Sequence, residues 1–511
     1  VNGQSAILGV VLVTLFGFAA LGAWHARGRI DSVEDFISAR DSAGTPTLTA
    51  TVVASSMGAW ILFSPAEAGA AFGGVTAVVG YAVGSALPLA CYSWLGPRIR
   101  QLIPEGHSLT EYAHARYGRV MYVYVLVVSV AYMSVFLAAE FTGIALVMER
   151  LAGVPGWQTA TLVGVTVLSY TAYGGLRASM MTDRLQTLVV LPLLFVGVAV
   201  ALDALGGPTA AATSVAATRP ELLSLGYLPG LEFGAYVAVA ILGAELLNQA
   251  WWQRVYAGRD DRTVARSFRL AAVCVVPMVL LVGLFGPVAA GRGLVADPAD
   301  ASVALFLVVE RALPAWATLV FALLALLLVT SSADTLFNAI ASVVTADLPR
   351  LVNVPTDRLT AVARLFTGVV AAVAIFVGAQ GYSVLTLFLL ADLLAAATFG
   401  PLLLGLYSER AGSLGVLAAS ALGLAVGLAF FPPARAALPT VGLPAPSFFV
   451  SFLAAAGVSC GLAALSTRVG DDSYDLDRLA QTVRRFDDEP QTVTDGGRKA
   501  RSRPTDVDER T

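Results

Sequence analysis

Apolar residues run along most of this chain in long stretches that short polar segments separate. Thirteen such stretches are found, near 5–26, 47–70, 73–96, 120–149, 156–173, 184–206, 231–256, 265–290, 314–345, 360–379, 382–407, 412–431 and 446–466. Each is close to the roughly 20 residues that a helix needs to cross a bilayer core. Backbone polar groups have no water partners in lipid, so such stretches form helices that satisfy themselves. The pattern predicts an all-α membrane protein of about 13 transmembrane helices over residues 1–466. The first run, Ala6 to Trp24, has no basic residue before it and is read as an uncleaved span. From about Thr467 the chain turns polar and charged. That segment, 467–511, is expected to hold a short surface helix and then a disordered cytoplasmic tail.

Arginine sets the expected orientation. The loops "HARGRIDSVEDFISARDSAG" and "QRVYAGRDDRTVARSFR", and the one holding Arg98, Arg100, Arg116 and Arg119, alternate with arginine-poor loops such as "GVPGW" and "GAQGYS". Basic loops stay on the cytoplasmic side. The N-terminus is therefore expected outside and the C-terminus inside a multi-pass cell membrane protein. Composition fits a lipid solvent: 57% hydrophobic, 13% charged, mean hydropathy +0.76. A formal net charge of -3 gives no reason to expect nucleic acid, and nothing points to an obligate protein partner. Cys91, Cys274 and Cys460 lie far apart in apolar runs, without metal-ligand spacing.

One apolar run breaks its own pattern. "LLLVTSSADTLFNAI", Leu326 to Ile340, carries two serines, an aspartate, a threonine and an asparagine. Leu328, Ser331 and Ser332 share a helix face at i, i+3 and i+4, and Thr335 continues it. Hydroxyls in membrane helices often bond the carbonyl four residues back. A serine pair beside an intramembrane acid points further, because such acids are costly and usually functional. Hydroxyls plus free carbonyls suit a bare sodium ion, and free carbonyls arise where a helix is interrupted. The stretch thus calls for a broken helix facing it. "TVVASSMGAWILFSPAEAGAAFGG", Thr51 to Gly74, holds Gly58 and Pro65 and is the expected place. A break near Ala54–Gly58 would free the carbonyls of Ala54 and Met57.

Four stretches resemble the sodium:solute symporter family, whose members take up sugars, proline, pantothenate, urea and sialic acid. They are "SVEDFISARDS", "YTAYGGLRASMMTDRLQ", "NQAWWQRVYAGRDDRTVARS" and "TSSADTLFNAIASVVTADL". Their order and spacing agree with the family along residues 30 to 410. "FGPLLLGLYSERAG" adds a fifth match. The resemblance implies a LeuT-type fold: two five-helix inverted repeats, about 47–206 and 231–407, flanked by extra helices. It implies a sodium site of the Ala54, Met57 and Leu328 carbonyls with the Ser331 and Ser332 hydroxyls, and places Asp183 on the sodium exit path. Na+ is then the coupling ion. Ser56 departs from the aspartate that proline transporters of the family carry there.

In this architecture a small polar solute lies near the midplane, beside the broken helices. Trp60, Glu67, Glu140, Glu245, Asn248, Gln249 and Asp392 come from the appropriate helices. Glu245, Asn248 and Gln249 stand at i, i+3 and i+4, suited to amides, hydroxyls or a cation. Each acid has a plainer reading as a helix-to-helix contact or a proton carrier. Several acids and no evident intramembrane Arg or Lys speak against an anionic solute. Urea or another amide, an amino acid, and a polyol or sugar stay open. Two other functions also stay open: a membrane sensor built on a transporter fold, and proton coupling through Glu67, Glu140 or Asp392. No nucleophile–base pair, metal triad or phosphate loop suggests an enzyme.

Overall fold

The computed structural model describes residues 3–26, 39–351, 356–437, 442, 444–469 and 473–483. Regular structure among them is helical, apart from one isolated bridge between Ala43 and Gly258. The helices used below are α1 (Gly3–Ala26), α2 (Thr45–Ser56), α3 (Trp60–Glu67), α4 (Gly74–Leu102), α5 (Leu109–Tyr117), α6 (Arg119–Ala152) and α7 (Gly156–Ala204). They continue with α8 (Leu228–Leu246), α9 (Gln249–Ala257), α10 (Asp261–Gly283), α11 (Ala315–Leu351), α12 (Thr356–Gly378), α13 (Val384–Ala396), α14 (Ser413–Phe430) and α15 (Phe448–Val469). Ten stretches among the described residues are long and apolar enough to cross a bilayer. The count of thirteen is therefore not fixed by length and apolarity.

Two expected segments, 156–173 and 184–206, form one helical element, α7. It is not straight. Tyr170 and Gln186 both reach Thr330 on α11, at 3.4 and 3.0 Å, and Thr171 and Thr182 both donate to Asp334, at 2.9 and 3.3 Å. Along a straight helix residues 170 and 186 would stand about 24 Å apart. The chain bends sharply between them, and both arms meet α11 at one level.

The expected span 231–256 is also corrected. It is interrupted between Leu246 and Gln249, giving α8 and α9. The interruption expected near Ala54–Gly58 is present, between Ser56 and Trp60. Past α3 the chain does not stop at Pro65 but widens into a π-helical turn, Ala68–Gly73. Such turns relieve a ladder that proline has disturbed.

Close backbone approach holds the bundle. At the crossing of α4 and α8, a side chain at Gly80 would overlap the Gly234 backbone. Small residues at such crossings are how membrane helices gain packing contact without a hydrophobic drive. Around the outside, Phe16, Val83, Val196, Leu365, Val373 and Phe376 stand exposed, a surface suited to lipid tails. The chain ahead of α2 is tied to the end of α9: Asp41 and Ala43 donate to the Tyr256 and Ala257 carbonyls at 3.0 and 2.8 Å. Arg100 clamps this junction through Asp41 and Asp261, at 3.0 and 2.9 Å. Of the polar end, Arg478–Thr482 forms the expected short helix, and α15 runs on to Val469. The expected tail from 484 and the motif residues 32–38 lie outside the described residues.

Candidate functional site

At the first break, Met57 is extended (φ -106°, ψ 101°) and its N–H donates to the Ala54 carbonyl at 3.1 Å. The Gly58 and Ala59 carbonyls accept from Ile61 and Leu62, whereas the Met57 carbonyl accepts from no described residue. The orphaned donor on the other side is met from outside. Ala59 N–H donates to Glu140 Oε2, from α6, at 2.7 Å. Glu140 is fully buried and also faces the Ser332 hydroxyl. A side chain at Gly58 would overlap the Glu140 carboxylate, so glycine is required for this approach. Glu140, expected among the solute contacts, is turned to the break.

Helix α11 lies against α2 with its polar face inward. Ser332 Oγ donates to the Leu328 carbonyl at 3.1 Å, and Ser55 Oγ meets Thr335 Oγ1 at 3.1 Å. Asp183 gathers this face: its carboxylate accepts from Thr51 at 2.5 Å, Ser331 at 2.8 Å and Ser55 at 3.4 Å. Arg254, on α9, is fully buried beside it. Its Nη2 donates to Ser55 at 2.7 Å and Thr335 at 3.0 Å, and lies 3.5 Å from Asp183 Oδ2. The sequence reads Arg254 as part of an arginine-rich loop; the structure buries it inside the protein, on the helix after the second break. Asp334, next to the serines, accepts from Thr171, Thr182 and Asn338 and not from Ser331 or Ser332.

A second feature lies on the other side of the first break. A cavity of about 490 Å³, counting its open mouth, is enclosed by α2, α3, α4, α6, α8, α9, α10 and α13. Of the seven residues expected around a solute, Trp60, Glu245 and Asp392 line it. Trp60 stacks on Tyr81 with ring centres 5.6 Å apart, and Phe136 meets Phe388 edge-on at 4.8 Å. Glu245 accepts from Trp251 Nε1, from Asn248 at 3.2 Å and from Tyr132 at 3.5 Å.

The remaining candidates fasten helices. Asn248 caps α9, its Oδ1 accepting from Ala250 N–H at 3.0 Å. Gln249 joins α9 to the loop ahead of α5, donating to the His107 carbonyl at 2.9 Å and accepting from Leu109 N–H at 3.0 Å. That spends its amide and puts it outside the cavity. Glu67 accepts from Ser383, the residue capping α13, at 3.0 Å. The sequence reading missed Tyr81, Tyr132, Phe136, Trp251 and Phe388. An aromatic residue in an apolar run carries no mark of the face it will take.

A family profile described as "Sodium:solute symporter family" matches residues 36–423, well over half of the chain. The chain belongs to the sodium:solute symporter family. This symporter is 26% identical to a spermidine transporter of Candida albicans over 428 residues, 81% of this chain and 79% of the relative. It is 26% identical to the sodium/pantothenate symporter of Escherichia coli over 340 residues, 62% and 67% of the two chains. Among solved structures, a substrate-bound, outward-open sodium-coupled sialic acid symporter superposes with TM-score 0.72 at 15% identity, over 93% of this chain and 99% of that one. The inward-facing nucleobase-cation symporter Mhp1 has the same kind of fold, with TM-score 0.54. The fold is thus the LeuT type, and the symporter is a multi-pass membrane protein that moves a small solute.

Proposed function

We propose that this symporter couples entry of a small polar solute to sodium, by alternating access between two inverted repeats near 47–206 and 231–407. The ion's ligands in this reading are the Ala54, Met57 and Leu328 carbonyls and the Ser331 and Ser332 hydroxyls, with Asp183 on the exit path. The observation that carries it is the break after Ser56, whose Met57 carbonyl accepts no described donor, beside a helix with two inward hydroxyls. Broken-helix carbonyls at the bilayer midplane are the usual oxygen source for a coupling ion. Sodium drives uptake because its binding favours the state that also binds solute. The N-terminus lies outside and the arginine-rich loops inside a cell membrane in this reading, and a polar tail follows inside.

The assay is uptake by proteoliposomes under an inward sodium gradient, with potassium in its place as control. Sodium-driven accumulation is expected. Ser332→Ala is expected to raise the half-activating sodium concentration about tenfold with little change in solute selectivity. Unchanged sodium activation in that variant would discard the ligand set.

Glu140 favours one second reading, since a carboxylate sits at the break itself. If a proton there replaces sodium, uptake follows a pH gradient and ignores the potassium swap. A rice relative is named a urea-proton symporter, so both couplings occur among relatives. The relatives' named solutes, spermidine, pantothenate and urea, differ in charge, so the choice of solute falls to the cavity.

A further inference from the structure

We propose that the solute held in the aromatic cavity is an organic ammonium cation, best a short diamine, with Asp392 as its principal charge partner. This names the cargo of the symporter reading above and rests on it.

The cavity offers carboxylates without a basic partner. Thirteen side chains line it; two, Glu245 and Asp392, are carboxylates, and none is Arg, Lys or His. The buried Arg254 is committed to Asp183 and does not line the cavity. Asp392 is only 5% exposed, and no hydrogen bond or ion pair reaches it from a described residue. A buried carboxylate without a partner is unfavourable, and a cation arriving from water supplies the missing one.

The cavity is also short of donors: among its described lining side chains, only the Tyr81 hydroxyl is not seen donating to another group. Ser56 and Ser85 donate into their own helices, to Val53 and Tyr81 carbonyls at 2.8 and 2.9 Å. Trp60 Nε1 donates to the Ser56 carbonyl at 3.2 Å, and Trp251 and Tyr132 donate to Glu245. A sugar or amide needs donors as well as acceptors, and a carboxylate or phosphate needs donors above all. An ammonium group brings three donors and needs acceptors only. Trp60, Phe136 and Phe388 line the cavity with aromatic surface, which attracts cations and packs a methylene stem. Glu245, held by three neighbours, forms a second fixed anchor, so two amines joined by a short chain match the charge of the site.

The test is binding of radiolabelled 1,4-diaminobutane to the purified full chain in sodium and in potassium, with propylamine, urea, glucose and pantothenate as competitors, beside uptake in proteoliposomes. Saturable diamine binding is expected, displaced more weakly by propylamine and not by the other three. Asp392→Asn is expected to raise the apparent Kd about 30-fold or more while keeping the sodium-evoked change in tryptophan fluorescence. Glu245→Gln is expected to narrow the gap between diamine and monoamine. Absence of amine binding overturns the proposal, as does wild-type amine binding by Asp392→Asn. Sodium-driven uptake of urea, glucose or pantothenate alone also overturns it, yet leaves the symporter reading intact. Amine binding and transport indifferent to sodium would instead sink the sodium coupling and keep the cation site.

Discussion

Two interruptions of the chain, between α2 and α3 and between α8 and α9, are finished differently. At the second, Tyr92 from α4 donates to the Leu246 carbonyl at 3.0 Å. Asn248 caps the new helix with its own side chain, and the same amide holds Glu245 in the cavity wall. The first has no capping side chain of its own. Its donor side is met by Glu140 from α6, and its Met57 carbonyl is left without a described donor. A cap drawn from the break's own residues fixes a side chain in place, here Glu245 in the cavity wall. A break closed from outside keeps oxygen available and makes its geometry depend on a neighbouring helix. In the proposed reading, the second break serves recognition and the first serves an ion that must leave. Arg254 ties them: it sits on the helix after the second break and donates to Ser55 beside the first.

Removing that tie is expected to have the largest effect. Arg254→Ala leaves Asp183 buried without its countercharge, which costs about 3–5 kcal/mol in comparable buried pairs. The symporter should unfold at lower temperature by scanning fluorimetry, and pairing the change with Asp183→Asn should restore much of the loss. A strictly additive double variant would argue against the pair. Next comes the support from outside. Glu140→Ala strips the acceptor from Ala59 N–H, a loss of about 1–3 kcal/mol, and should weaken sodium activation of uptake. Glu140→Gln keeps an acceptor oxygen and should keep most of that activation. If Gln behaves as Ala, the carboxylate's charge, and with it the proton reading, gains ground.

At the second break the effect should be smaller. Asn248→Ala removes a cap worth about 1 kcal/mol and loosens Glu245, so solute KM should rise while sodium dependence stays. Asn248→Asp keeps the cap but sets a second acid beside Glu245; restored stability without restored solute KM would separate the two jobs. The smallest effect is expected for Gln249→Ala. Interhelical hydrogen bonds in membranes average about 0.6 kcal/mol, so a modest loss of stability with unchanged solute preference is anticipated. A changed solute ranking would return Gln249 to the cavity.

How much was legible follows from what each feature depends on. The break before Trp60 was expected from Gly58, Pro65 and the polar face of α11, because glycine and proline act on the backbone where they stand. The break at Leu247–Asn248 carries neither residue, and its apolar run reads as an unbroken span. Only the capping geometry of Asn248 marks it. The sharp bend inside α7 falls between the two spans expected at 156–173 and 184–206; the structure joins them in one helical element whose arms converge on Thr330 and Asp334.

The sequence by itself determined the solvent, the helical class, the run of apolar segments and the serine-bearing face at Ser331 and Ser332. These are properties of composition and of the helix period, and neighbours cannot alter them. Tertiary structure alone decided that Arg254 lies inside, that Glu140 serves a break, that Gln249 fastens a loop, and that Glu245 and Asp392 share one aromatic cavity. An acid in an apolar run must find a partner or a use in lipid, but which one depends on the helix packed against it. That helix lies hundreds of residues away for Glu67 and Ser383, and for Arg100 and Asp261 it is still 161 residues distant. Local pattern carries no record of such pairings, and the function is built from them.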